Sequence, residues 1–557
     1  MEAQQTTESA PDELQIPTLV RDLLRKRGLT DEAETRRFLE PDYLRDLADP
    51  YLMTGVEAAA QRIAEAAAKK QNVAVYGDYD VDGIVATALM KEVLEMQGLQ
   101  PITYVPDRYE EGYGLHLEAL KQLKADGIDL VVTVDCGITS VAEAAWARKN
   151  GLDLIVTDHH DVPEVLPQAV AVINPKQSGD KYPFKELAGV GVAFTVARGL
   201  QKLTGKPPEG HEKWLLDLVA MGTICDVMPL VGENRVLARF GLLVLAKTRR
   251  VGLVALAQSA GIDLDKVKAY HLGFMFGPRL NAAGRLEHAN LSLDLVTTKD
   301  PIAAQQMAFK LEELNAQRQM EQQRITDEAD AQAAAQSDDP VLVLADPGWS
   351  HGVVGIVASK LAEKYHKPTL ILQVMGESAK GSGRSAGGYN LIEGLRSAEG
   401  LFHKLGGHHH AAGFTLPTAS LEALRQALTQ HHGSVASGLA ARSSREAELP
   451  LEDLAELDWQ LFSAIEMLEP FGSGNPQPTF GADKLKVISV DTVGQRKNHL
   501  KMKLAGESGI PYEGIGFNLT EKYPNLKSGQ IVDAVFFLEQ NQFNGRSSLQ
   551  LVILQIQ

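Results

Sequence analysis

The sequence predicts an α/β chain: two α/β units joined by one long helix, followed by a small β-barrel. Three observations predict it. Apolar runs of strand length alternate with helical patterns between residues 72 and 175. A proline-opened helical pattern of about 36 residues, far longer than one compact core needs, follows Asp300. Strict alternation of apolar and polar residues returns in the last hundred residues. At 557 residues the chain is too long for one core and suits two to four domains.

The elements follow in order. Residues 1–50 read as a helical lead-in. A first domain is expected over 51–245. "TGVEAAAQRIAEAAAKKQ" has Thr54 and Glu57 at capping-box spacing and predicts a helix start. "NVAVYGD", "PITYVPD", "LVVTVDCG", "LIVTDHH" and "AVAVINPK" read as buried strands ending in loops. The helices between them are "GIVATALMKEVLEMQGL", "HLEALKQLKADG" and "VAEAAWARKNG". That alternation predicts a parallel sheet, whose ligands bind beyond the carboxyl ends of the strands. A helical region is expected over 246–337, with Asp300 and Pro301 as N-cap and first residue of a helix acting as a spacer. A second α/β unit is expected over 338–440 and a β-domain over 441–557. In the latter, "HLKMKLAG" alternates Leu500, Met502 and Leu504 with Lys501 and Lys503, and Asn544-Gly545 signals a hairpin. A barrel of the oligonucleotide-binding (OB) kind fits this pattern.

Apolar residues make up 44% and charged residues 23%, ordinary globular values that exclude a disordered chain. The first residues carry no basic-then-apolar leader, no apolar run approaches membrane-spanning length, and there are only two cysteines. A reducing, cytoplasmic setting without membrane attachment is expected, with Cys136 and Cys225 as small buried hydrophobes. The net charge of −17 argues against a chain that coats nucleic acid in lysine. Bound cations would cancel part of that charge. Residues 481–557 differ, with nine Lys/Arg against seven Asp/Glu, a net of +2.

Four predicted strand ends carry metal-type ligands: Asp78, Asp80 and Asp82 in "VYGDYDVDG", Asp135 in "VTVDCGIT", Asp158-His159-His160 in "LIVTDHH", and Asp226 in "GTICDVMPL". Alternation would put Asp78, Asp80 and Asp82 on one side of an extended segment. Three acids that close cannot all stay ionised in a partly buried site without a cation. A calcium loop is disfavoured, because Leu89 and Met90 stand where its spaced glutamate belongs. Taken singly, Asp135 reads as a helix cap and either histidine as a surface group. Their coincidence on the ligand-binding side of the sheet points to divalent metal. Mixed carboxylate and imidazole donors suit Mn²⁺ and admit Mg²⁺, Zn²⁺ or Fe²⁺.

These motifs, with "GFMFGPRLNAAGRL", "WSHGVVGIVASKLAEKY", "GSGRSAGG" and "LGGHHHAAGF", resemble the DHH phosphoesterases, in the ordered set of that family's RecJ-type single-strand exonucleases. The resemblance covers nearly the whole chain. It implies a parallel-sheet DHH domain, a DHHA1-type domain facing it across a cleft, and an OB-fold barrel. It implies two divalent ions, Mn²⁺ with Mg²⁺ possible, held by Asp80, Asp82, Asp135, His159 and Asp226, with Asp135 bridging. Asp78 would be a further ligand or a supporting acid. His160 would face the phosphate or protonate the leaving oxygen, and Asp158 would orient His159 or cap the turn. Arg279, Asn281 and Arg285, then Ser382, Arg384 and Ser385, then Gly407 and His408 would bind substrate.

In the last domain Arg496, Lys497, Lys501, Lys503 and Arg546 are expected to contact phosphates. Phe517, Phe536 and Phe543 are candidates to stack on bases, with core packing the expected role of Phe536. The expected activity is metal-dependent 5′→3′ hydrolysis of single-stranded DNA in recombination and repair. Single-strand-binding protein and a helicase are the expected partners. The alternatives are a phosphodiesterase for short oligonucleotides or cyclic dinucleotides, and a non-enzymatic single-strand-binding replication subunit on the same scaffold.

Overall fold

A computed structural model describes residues 16–435, 447–494, 496–543 and 545–557. Two short helices, α1 (Thr18–Lys26) and α2 (Glu32–Leu39), precede the first α/β unit. Its strands are β1 (Val73–Tyr76), β2 (Ile102–Tyr104), β3 (Leu130–Val134), β4 (Asp153–Thr157) and β5 (Ala171–Ile173). They pair in the order β2-β1-β3-β4-β5, and every pair is parallel. Helices cover both faces, so β1 and β3 are buried along their length. The chain builds outward in opposite directions from β1, and the crevice past the ends of β1 and β3 is where such sheets bind ligands.

The covering helices are α3 (Val56–Lys69), α4 (Val81–Met96), α5 (Leu117–Ala125), α6 (Val141–Lys149), α7 (Gly189–Thr204), α8 (Leu216–Cys225) and α9 (Gly232–Leu245). The capping box expected at Thr54 does not form. Gly55 is the N-cap of α3, at φ +90, and the backbone N–H of Thr54 donates instead to Asp180 at 2.7 Å. A Cβ on Gly55 would stand 2.6 Å from the carbonyl oxygen of Val172, so close packing on β5 overrides the local signal.

The linking region holds α10 (Val251–Ser259), α11 (Ala269–His271), a π-helical turn over 272–276, α12 (Gly277–Leu286), α13 (Asn290–Thr297) and α14 (Pro301–Ala335). Asp300 caps α14 as expected, accepting from the N–H groups of Ile302 and Ala303. At 35 residues α14 is about 52 Å long. It is more than a spacer. Ala304, Ala308, Leu311 and Leu314 belong to the core of the first unit, and Ile325, Ala329 and Ala333 to that of the second. One rigid rod therefore fixes both units.

The second unit contains β6 (Leu342–Asp346), α15 (His351–Tyr365), β7 (Thr369–Met375), β8 (Ser378–Arg384), α16 (Leu391–Arg396), β9 (Lys404–Gly407), β10 (Ala411–Pro417) and α17 (Leu421–Val435). Its sheet runs β6-β7-β8-β10-β9 and is parallel only between β6 and β7.

The C-terminal unit contains β11 (Leu449–Leu451), α18 (Trp459–Glu466), β12 (Phe480–Val493), β13 (His499–Ala505), β14 (Pro511–Gly516), β15 (Ile531–Phe543) and β16 (Arg546–Ile556). Strand β12 pairs with both β13 and β15, which closes β12-β13-β14-β16-β15 into a five-stranded barrel of OB type. Register shifts in β12 accompany the closure. Leu500, Met502 and Leu504 point into the core, as their alternation predicts, and Phe536 is fully buried. Phe517 is exposed, and Lys501 and Lys503 both lie within 4 Å of Glu513. Asn544 of the hairpin, the side chain of Phe543, residues 1–15 and the expected 440/441 boundary lie outside the described residues.

The N-terminal segment packs on this barrel: Val20, Leu23, Leu24 and Leu39 share its core. Arg27 grips Glu448 at 2.7 Å and Asn475 at 3.0 Å. Buried Arg235 of α9 donates to the carbonyls of Phe38, Leu468 and Met467, tying lead-in and barrel to the first unit. No helix among the described residues is long and apolar enough to cross a membrane.

Candidate metal centre

The loop after β1 carries Asp78, Asp80 and Asp82, but not in one extended segment. Asp80 is the N-cap of α4, its side chain accepting from the N–H of Gly83, and Asp82 lies in the first helical turn. Asp226 likewise ends a helix, as the C-cap of α8, rather than a strand. Four strand ends thus become three strand ends and one helix end. Asp135, past β3, adopts φ +61, a left-handed conformation that Asp tolerates. Val227, beside Asp226, stands at φ +58, costly for a β-branched residue, so backbone strain gathers at this site.

Glycines make room for the acids. A Cβ on Gly189 would fall 2.4 Å from the Asp135 carboxylate, and one on Gly83 would fall 2.6 Å from the Asp78 Cβ. Asp82 accepts the N–H groups of Gly189 (2.6 Å) and Val190 (3.0 Å), the unpaired donors at the start of α7.

Three ligand groups interlock: Asp78, Asp80 and Asp135; Asp82, His159 and Asp226; and Asp135, His159 and His160. Within each, the donor atoms lie within 4.8 Å of one another. His159 Nε2 is 3.2 Å from Asp135 Oδ1, 3.5 Å from Asp226 Oδ2 and 4.0 Å from Asp82 Oδ2. The donor set fits divalent cations. Asp78 Oδ1 and Asp135 Oδ1 are buried and accept no hydrogen bond among the described residues. Burial, and then the neighbouring carboxylates, raise Asp135 well above the usual range, Asp78 and Asp226 to about 8, and Asp82 to about 7. Cations remove both penalties. Burial and the adjacent His160 hold His159 down at about 3, keeping it the neutral imidazole a metal requires.

The two histidines diverge. Asp158 accepts from the backbone N–H of Ile138, His159 and His160, and pairs with His160 Nδ1 at 2.7 Å. It is committed to the turn and to His160, not to His159. The Tyr113 hydroxyl also meets His160 Nδ1 at 2.9 Å. Burial opposes protonation of His160, but the bond to Asp158 and the charges of Asp158, Asp226 and Asp78 prevail and raise it to about 9.

Across the cleft lie cations of the linking region and the second unit. Arg285 is half-buried near Asp80, and desolvation and Arg108 hold it down at about 10. Its Nη1 donates to the Gly352 carbonyl at 2.9 Å, joining α12 to α15. The small residues around it serve packing: a Cβ on Gly284 would fall 2.9 Å from the Tyr79 carbonyl oxygen. Arg384 donates to Ser382 Oγ and the Gly383 carbonyl, and pairs with no carboxylate among the described residues. Burial depresses it. The Ser385 hydroxyl donates to the Tyr389 carbonyl. Gly407 ends β9 at φ +147, and the backbone N–H of His408 donates to the Ala411 carbonyl. Burial lowers His408, which also feels His410, Arg384, Asp161 and His160, so the second unit faces the DHH turn.

Arg279 is drawn away from this set by Glu312 of α14, which it meets at 2.5 Å. A neutralised guanidinium is a poor phosphate handle. Asn281 Oδ1 is buried and accepts no hydrogen bond among the described residues. Sequence reasoning missed Arg108, which lies over the Tyr79 ring at 3.9 Å, and Tyr113. Both sit in the "DRYEEGYG" loop, where Gly112 and Gly114, at φ +88 and +103, are the available signal.

Sequence models of three families match the chain: the N-terminal domain of the DHH family over residues 72–223, the DHHA1 domain over 338–432 and the RecJ OB domain over 446–555. The single-stranded-DNA-specific exonuclease RecJ of Bacillus subtilis is 38% identical over 99% of this chain and 69% of its own length. That of Escherichia coli is 34% identical over 98% and 97%. A crystal structure of RecJ in complex with Mn²⁺ from Thermus thermophilus superposes with a TM-score of 0.84, at 30% identity, over 98% of this chain and 76% of that one. A Mg²⁺ complex of the same protein gives a TM-score of 0.76 at 28% identity, over 98% and 75%. The chain belongs to the RecJ exonuclease family.

Proposed function

We propose that the chain is a metal-dependent exonuclease that hydrolyses single-stranded DNA from its 5′ end. One observation carries this reading: interlocked acid and histidine groups stand opposite the second unit's Arg384, which meets no carboxylate among the described residues. Asp80, Asp82, Asp135, His159 and Asp226 would hold two divalent ions, with Asp135 shared and Asp78 supporting. Mn²⁺ is the proposed resident ion, with Mg²⁺ as substitute. Bound there, such ions supply Lewis-acid neutralisation of the phosphate and activation of water.

The chain's own groups do the rest. Asp158 and Tyr113 occupy His160 Nδ1, which leaves Nε2 to hold the proton given to the leaving oxygen. Arg285, Arg384, Ser382 and His408 position phosphate, and Arg108 adds charge. Gripping a terminal 5′ phosphate beside the reacting one makes the cut fall at that end and sets the polarity. The OB barrel holds the following strand. A single-strand-binding protein and a helicase are the proposed suppliers of that strand.

Digestion of end-labelled single strands tests the reading. With Mn²⁺, a 5′-labelled strand releases labelled mononucleotide at once, while a 3′-labelled strand keeps its label on shortening products. Immediate release of the 3′ label would reverse the polarity. Cleavage confined to di- to tetranucleotides would favour an oligonucleotide phosphodiesterase.

A further inference from the structure

Two of the candidate metal acids come from helices that run in opposite senses. Helix α4 starts at the centre, with Asp82 in its first turn, and α8 ends there, with Asp226 as C-cap. The helices touch closely near this end: a Cβ on Gly222 of α8 would fall 2.4 Å from Asp82 Oδ1 and 3.0 Å from Val85 Cγ2.

Their other ends meet at one guanidinium. Arg250, the N-cap of α10, donates Nη1 to Glu92 of α4 at 2.7 Å and Nε to both oxygens of Asp217 of α8, at 3.1 and 3.2 Å. Thr248 adds a hydroxyl to Asp217 at 2.8 Å. The Asp217 side chain is 3% exposed and that of Arg250 16%. Glu92 lies ten residues from Asp82 (92 − 82), and Asp217 nine from Asp226 (226 − 217). At helical rise, these separations are about 15 and 14 Å. The triad is therefore remote from the metal centre, yet joined to it by two rigid rods.

We propose that Arg250 is a positioning residue for the metal centre. By tying Glu92 to Asp217 it fixes the angle between α4 and α8, and so the separation of Asp82 from Asp226. The inference rests on the proposed metal role of those two acids. Without Arg250, the buried Asp217 and the partly exposed Glu92 are left with no cation between them, and their repulsion splays the far ends. The close contact at Gly222 makes the splay a rotation rather than a translation. Metal coordination tolerates only about 0.2 Å, so a small rotation registers as lost affinity.

Mn²⁺ binding to the full chain, read by calorimetry, tests it, with nuclease rates taken over a Mn²⁺ titration alongside. Arg250→Met should weaken Mn²⁺ binding about tenfold, the low end for partners that orient ligands. At saturating Mn²⁺ its kcat should stay within about twofold and its KM for single-stranded DNA should not move, since Arg250 touches no substrate. Arg250→Lys keeps the charge but loses the fork, and should fall between. Adding Glu92→Gln and Asp217→Asn to Arg250→Met removes the repulsion and should restore most of the affinity. A folded Arg250→Met with wild-type Mn²⁺ affinity would reduce the triad to a stability element and overturn the proposal. If that variant does not fold, wild-type affinity in Arg250→Lys overturns it equally. Failure of the unaltered chain to bind Mn²⁺ would instead strike the metal reading itself.

Discussion

Asp158 Oδ1 pairs with His160 Nδ1 at 2.7 Å, while the adjacent His159 aims Nε2 at Asp135, 3.2 Å away. One dipeptide thus presents two imidazoles with opposite electrostatics. His159 is held neutral near 3 by burial and its cationic neighbour, and His160 is held protonated to about 9. Substitutions should separate them. His159→Ala is expected to abolish Mn²⁺ binding and cleavage together. His160→Gln is expected to bind Mn²⁺ normally and lose about 10²- to 10⁴-fold in kcat, the usual share of one general acid. Equal metal affinity in the two variants would refute the division.

Asp135→Asn should eliminate detectable cleavage of single-stranded DNA with Mn²⁺. In EDTA the same variant should melt no lower than the parent, because it removes a buried carboxyl crowded by Asp82, Asp80 and Asp78. Thermal unfolding in EDTA checks this, and a fall of many degrees would mean that Asp135 holds the fold.

The acids also set a pH dependence. Asp78 and Asp226 stand near 8 in the folded chain against about 4 when unfolded, so the folded state binds more protons between these values. Stability is then greatest below the unfolded pKa and falls as pH rises through 8. In EDTA the melting temperature should drop between pH 5.5 and 8.5, and saturating Mn²⁺ should remove most of that slope. Proton release on Mn²⁺ binding at pH 7, read by calorimetry in buffers of different ionisation enthalpy, should accompany it.

Arg384→Met should raise the KM for single-stranded DNA about tenfold with little change in Mn²⁺ affinity, since its guanidinium has no carboxylate partner among the described residues. Arg279→Met should have the smaller effect on KM, because Glu312 already pairs with it. The reverse ranking, from steady-state rates at saturating Mn²⁺, would mean that the Glu312 pair opens when DNA binds.

In the barrel, Phe536→Ala should cost about 3–5 kcal/mol, the usual range for a buried aromatic. Phe517→Ala, at an exposed position, should leave stability nearly unchanged and lower affinity for single-stranded DNA. Denaturant unfolding and a binding titration check the pair.

The sequence by itself determined the strand-and-helix order of the first unit, the long capped helix, the alternation of the last barrel and the identity of the clustered acids and histidines. Each of these is written in short-range pattern: apolar runs, Asp300-Pro301, every-other-residue burial, carboxylates and histidines just past apolar runs. Tertiary structure decided what such patterns cannot carry. Packing of Gly55 against Val172 cancelled the cap at Thr54, and Glu312, 33 residues along the chain (312 − 279), claimed Arg279. Asp158 had to be seen among the N–H groups of Ile138, His159 and His160 before it could be assigned to His160. The pairing of Arg250 with Glu92 and Asp217 spans 158 and 33 residues, and no local signal marks it. A side chain's charge is legible one residue at a time, but which charge opposes it depends on how separate helices and strands are brought together.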